Sequence, residues 1–204
     1  MIDAKRLTPE QLDALREVAN IGSGHAATSL SQLMGKKVMV RVPKILTGPL
    51  EEVILKIADP NDVVVSVLLY FLGDLTGRTL LLYPFEEAQE LTTMLMPAVQ
   101  DNVTEVQESL LKEVSNILSC SYMNSLGELL GLLILPSVPG MIVDMVGAVL
   151  SSVVLEFGRE KDFIFCVETE FDFGDIGKPL SAFFLLLPDA TSLDAILRKL
   201  NLEK

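Results

Sequence analysis

One pattern of residues is written twice in this chain, 96 positions apart. Asp13, Glu17, Asn20 and Pro43 recur as Ser109, Glu113, Asn116 and Pro139 with the same internal spacings. Between residues 13–35 and 109–131, ten aligned positions carry the same residue: Leu15, Glu17, Val18, Asn20, Ile21, Ser23, Ser29, Leu30, Leu33 and Gly35 in the first copy. Self-similarity of that length predicts a duplicated folding unit. The 204 residues can bury a substantial core, and the duplication predicts one domain whose halves, about 8–100 and about 104–204, share it.

Most of the repeated residues are apolar, and their spacing is helical. Leu15, Ala19, Gly22, Ala26, Leu30 and Leu33 step by three or four and form one stripe, matched by Leu111, Ser115, Leu118, Tyr122, Leu126 and Leu129. Duplication of any core would explain these. Glu and Asn need another account. At about 100° per residue, positions 13, 17, 20 and 24 lie on the opposite side of the helix and face outward. Each copy therefore presents a carboxylate and, one turn later, a carboxamide to solvent. A solvated helix face with an i, i+3 contact worth about 0.2–0.5 kcal/mol accounts for the Glu. Asn is a poor interior helix residue, costing up to roughly 0.7 kcal/mol relative to Ala, so its presence at the same place in both copies implies a use.

Asp or Ser, three residues, Glu, two residues, Asn, then 22 residues and Pro: this arrangement resembles the signature of the CheC, CheX and FliY family of bacterial chemotaxis phosphatases. The resemblance runs from Leu7 to Leu200, and the presence of both copies in one chain is most similar to the CheC branch. It implies hydrolysis of the aspartyl phosphate on the response regulator CheY. By that resemblance Glu17 with Asn20, and Glu113 with Asn116, form two catalytic pairs. The Glu would anchor the regulator's active-site lysine, and the Asn would orient the attacking water. Asp13, Ser109, Pro43 and Pro139 support the motif. The resemblance further implies CheD, a receptor-modifying deamidase, as a second partner, with the chain a monomer or in a heterodimer with CheD. No cofactor is expected on this chain, and Mg²⁺ belongs to the CheY substrate.

The chemistry agrees with that division of labour. An acyl phosphate is already activated, and phosphoryl transfer needs an in-line nucleophile and charge neutralisation more than covalent help. A carboxamide offers donors and an acceptor but is no strong base, so its contribution is positioning. Ile21 and Ile117 lie about 40° around the helix from the Glu and are candidate docking contacts, or else the margin of the core. The competing reading is an interaction protein that binds CheY-type receiver domains or CheD without hydrolysis; the intact Glu-Asn pairs favour the enzyme.

A formal net charge of −12 without a Lys/Arg-rich block argues against nucleic acid as a partner. It also gives no steering towards an acidic receiver site, so recognition has to be local. Half the residues are hydrophobic, yet the most apolar stretch, Leu129 to Val143, is broken by Pro136 and Pro139 and is too short to span a bilayer. Met1 to Arg6 lacks the apolar region of a signal peptide. Two cysteines, Cys120 and Cys166, without metal-ligand spacing fit a reducing cytoplasm.

Thr8 followed by Pro9 predicts a helix start, and the helix is expected to reach Met34 and stop at Gly35. A strand over 37–42, a turn at Pro43, a short helix from Pro49, strands over 62–72 and 78–84 and a helix over 86–95 follow. The second half predicts a helix over 104–130, a strand over 132–135, a helix over 144–155, strands over 162–173 and 180–187, and a helix after Asp189. The fold expected is α/β: a single-domain layered structure with a mainly antiparallel sheet and long helices, built from two pseudo-twofold related αβαββα repeats.

Gly147, Ala148, Ser151 and Ser152 give the helix after Asp144 a small-residue face, opposite Met145, Val149 and Val153. That face is either a dock for CheD or ordinary packing against the sheet. Glu168, Glu170 and Asp172 alternate along a strand, as on any solvated strand face. His25, the single histidine, reads as structural. Gly22-Ser23-Gly24 resembles a phosphate loop only in fragment, and Leu118-Ser119-Cys120 replaces it in the second copy.

Overall fold

In a computed structural model, residues 8–95, 105–157, 163–172 and 179–199 are described. Their elements run α1 (Pro9–Met34), β1 (Met39–Pro49), α2 (Leu50–Ile54), β2 (Val63–Gly73), β3 (Gly77–Pro84), α3 (Phe85–Leu95), α4 (Glu105–Leu130), β4 (Ile134–Pro136), β5 (Gly140–Met145), α5 (Val146–Phe157), β6 (Phe163–Asp172), β7 (Leu180–Pro188) and α6 (Ala190–Lys199). Thr104 and the outer ends of the strand expected over 162–173 fall outside the described residues.

The start of α1 is as local chemistry dictates. Thr8 Oγ1 accepts from the Gln11 amide, Gln11 Oε1 accepts from the Thr8 amide, and Pro9 occupies the first turn, where no amide proton is needed. Gly35 and Gly131 both adopt left-handed backbone just past their helices, with φ of 61° and 63°, which is why the repeat keeps a glycine there.

The strands form one seven-stranded sheet in the order β1-β6-β7-β3-β2-β4, with β5 also paired to β2. Every pairing is antiparallel. The order reads the same from either side of the central β3–β7 pair. Each half contributes an inner hairpin, and the edge of each hairpin is completed by the other half: β1 on β6, and β4 with β5 on β2. That exchange is consistent with duplication about a pseudo-twofold axis.

Alternate strand residues point to opposite faces and feed two cores. Val65, Val67, Leu81, Tyr83, Val167 and Phe184 pack under α1 and α4. Val64, Leu80, Leu82, Cys166 and Leu185 pack towards α2 and α5. The sheet therefore lies between helical layers, with both motif helices on one face.

Several expectations need correction. The strand expected to turn at Pro43 continues to Pro49, and the proline sits where the β1–β6 register slips between Arg41 and Lys44. An edge strand tolerates proline at such an irregularity because no ladder donor is required there. Asp144 and Met145 lie in a strand, β5, and the helix begins only at Val146. β5 showed no period-two signal because its residues are largely exposed on both sides; its ladder to β2 holds it, from Val63 opposite Met145 to Leu68 opposite Gly140. Leu33 and Leu129, placed on the buried stripe, are 51% and 49% exposed. The last step of each stripe is four residues, to half-buried Met34 and buried Leu130, which turns the leucines outward.

Candidate functional site

The two motif faces stand where the helical period places them. Asp13, Glu17, Asn20 and Gly24 are exposed along α1. On α4, Ser109 and Glu113 are exposed, while Asn116 and Cys120 are half-buried. Each Glu follows a cation that is engaged elsewhere: Arg16 Nη1 donates to Asp13 Oδ1 at 3.0 Å, and Lys112 Nζ donates to Glu108. Position 109 is Ser and cannot serve as Asp13 does, so Glu108 takes that part in the second copy. Among the described residues, the carboxylates of Glu17 and Glu113 have no hydrogen-bond or ion-pair partner, so both are open to an external cation.

Each motif helix rests partly on strands of the opposite half. Leu15, Val18 and Ala19 of α1 line a small void with Phe165 and Val167 of β6 and Phe184 and Leu186 of β7. Beneath α4, the Ser115 and Tyr83 hydroxyls lie 2.9 Å apart, and Thr79 Oγ1 donates to Ser119 Oγ at 3.2 Å. Burial raises the Tyr83 phenol well above its ordinary value, so it stays protonated and able to donate. The helices meet closely at Gly22, where an added Cβ would fall 2.3 Å from Tyr122 Cδ1. Tyr122 is itself fixed by Phe184, with ring centroids 4.6 Å apart, and by the Thr169 hydroxyl at 3.3 Å.

The two pairs differ one turn beyond the Asn. Asn20 is exposed, and beyond its own stretch of helix Gly24 has nothing within 4 Å of the position a Cβ would take. At the matching place on α4, Cys120 Sγ donates to Asn116 Oδ1 at 3.5 Å. Burial, and secondarily the charge of Glu113, push the Cys120 thiol up from its ordinary value. The signal for this difference lay in the offset itself, which sets Gly24 against Cys120, but sequence could not show the thiol reaching the amide.

A profile of the CheC-like family matches residues 10–46, the span of the first Glu-Asn-Pro motif. The protein named "CheY-P phosphatase CheC" of Bacillus subtilis (strain 168) is 32% identical over 192 residues, covering 92% of each chain. The chain belongs to the CheC-like family. Among solved structures, Thermotoga maritima FliY superposes with a TM-score of 0.77 at 21% identity, covering 97% of this chain and 99% of that one. The FliM middle domain of H. pylori superposes with a TM-score of 0.65 at 13% identity, covering 95% and 99%. These likenesses show the fold.

Other residues of this CheC-like chain fall variously. Pro43 and half-buried Pro139 both mark interruptions of an edge strand; Pro139 lies in the gap between β4 and β5. Ile21 is exposed, whereas Ile117 packs against the core. On α5, Gly147 is held to the chain at Pro60, its amide donating to the Pro60 carbonyl at 2.9 Å, and Ala148 is half-buried. Ser151 and Ser152 are exposed, but their hydroxyls donate to the carbonyls of Gly147 and Ala148. Val149 and Val153 are buried as expected, while Met145 is exposed on β5. The acidic row on β6 meets cations of β1: Arg41 pairs with Asp172, and Lys44 lies opposite Glu168. His25 is exposed on α1, where nothing shows the structural role expected of it. No cluster of three metal-ligating side chains occurs among the described residues, and none of their helices is long and apolar enough to cross a membrane.

Proposed function

We propose that this chain hydrolyses the aspartyl phosphate of phosphorylated CheY, using Glu17 with Asn20 and Glu113 with Asn116. The observation that carries the reading is the disposition of the two Glu carboxylates, exposed and without a partner among the described residues while the neighbouring cations are turned to other acids. A carboxylate left open in this way suits an incoming ammonium, and the regulator's active-site lysine supplies one. Asn20 and Asn116, one turn on, then lie beside the phosphoryl group. Each amide orients a water for in-line attack on phosphorus. The P–O bond to the aspartyl oxygen breaks, the aspartate leaves as a carboxylate, and inorganic phosphate is released. Magnesium travels with the receiver domain, so this chain's contribution is docking and water positioning. Family membership, and a relative 32% identical that is named for the same activity, support the reading. CheD is the second partner in this proposal, with Ser151 and Ser152 on α5 as the accessible part of its dock.

The test is release of phosphate from phospho-CheY by the unaltered chain, by Asn20→Ala, by Asn116→Ala and by both together. Each single variant should retain activity from the other pair. The double variant should fall to the rate at which phospho-CheY decays alone. Activity persisting in the double variant sinks the mechanism.

A further inference from the structure

Given that Glu113 and Asn116 act as proposed above, we propose that Cys120 is a positioning residue for Asn116, holding its carboxamide so that the amide donors face the incoming phosphoryl group. The offset of 96 that relates the two motif helices puts Gly24 at the corresponding place, so only the second pair has this device. Cys120 lies four residues after Asn116 on the same helical face, and its Sγ donates to Asn116 Oδ1 at 3.5 Å. A thiol donor engages the amide oxygen, which leaves both Nδ2 hydrogens and one oxygen lone pair for substrate and water. Asn116 is half-buried beneath this contact, whereas exposed Asn20 has no side-chain hydrogen bond among the described residues and only open space beyond it.

The thiol must remain protonated to donate. Burial and the nearby Glu113 carboxylate both favour the protonated form. The same two influences keep thiolate scarce, so Cys120 is poorly suited to act as an oxidation sensor or a nucleophile. Its use is as a hydrogen-bond donor of small volume, on a face that a receiver domain has to approach closely.

The experiment isolates the second pair by placing each change in an Asn20→Ala background and measuring kcat and KM with phospho-CheY. Cys120→Ala should lower kcat about 2- to 13-fold with KM unchanged, the effect of one net hydrogen bond of about 0.5–1.5 kcal/mol. Cys120→Ser, which restores a donor, should recover most of the loss. Side-chain ¹⁵N relaxation gives a readout independent of turnover: the Asn116 amide should become as mobile as that of Asn20 in Cys120→Ala and regain order in Cys120→Ser. Unchanged kcat and amide order in Cys120→Ala, or a Ser variant no better than the Ala variant, overturns the positioning role alone. Persistent activity in Asn20→Ala/Asn116→Ala overturns the pair mechanism and this role with it.

Discussion

Gly22 shows how much one residue decides in this fold. A Cβ there would come within 2.3 Å of Tyr122 Cδ1 and 3.0 Å of its Cα, so backbone as well as ring has to retreat. Tyr122 is buried and held on two sides, which leaves it nowhere to go. Gly22→Leu should therefore destabilise the chain by about 1–3 kcal/mol, read from urea unfolding, as overpacked cores do. An unchanged midpoint would show that α1 and α4 slide apart without cost. Gly22 was legible as a member of the buried stripe. Its partner was not, because periodicity assigns a residue to a face and says nothing about what meets that face.

At the scale of the element, α1 and α4 share a sequence pattern but are held down by different means. α4 carries Ser115 and Ser119, whose hydroxyls engage Tyr83 and Thr79 of β3. The matching positions on α1 are Ala19, which packs in the core, and Ser23, whose hydroxyl turns back to the Asn20 carbonyl at 2.8 Å. A double-mutant cycle on Tyr83→Phe and Ser115→Ala should return a coupling of about 0.5–1.5 kcal/mol. A coupling indistinguishable from zero would mean that each hydroxyl finds another acceptor when its partner is removed. The ends of α1 were readable because Thr8, Pro9 and Gly35 act through their own backbone geometry. β5 was not, since an exposed edge strand takes its shape from the ladder it joins, and Asp144 and Met145 at its end read as the start of the next helix. Pro43 misled for a related reason: proline ends a strand in isolation, but an irregular edge accommodates it.

For the whole molecule, burial of titratable groups between the layers makes stability fall at alkaline pH. Cys166 is pushed up from 9.0 to about 12, mainly by burial, with Glu168 adding to the shift. Tyr122 is pushed up from 10.0 to about 12, again by burial. Both pKa values are higher folded than unfolded, so the contribution is fully present below pH 9 and is lost as pH rises through 12. Urea unfolding should give a lower midpoint at about pH 11 than at about pH 8, and equal midpoints would contradict this ledger of buried protons. Apart from β5, the succession of helices and strands was legible because each half declares it locally. The order of strands was not, because which half completes which hairpin is settled by contacts between residues far apart in the chain, such as Arg41 opposite Glu170 and Ser66 opposite Ile142. That crossing has a practical consequence for genetics. A gene cut between α3 and α4 would yield fragments each bearing one Glu-Asn pair but lacking part of the floor beneath it. Deletion is therefore a poor way to silence one pair while sparing the other, and a point change within a pair, such as Asn20→Ala or Asn116→Ala, is the cleaner one.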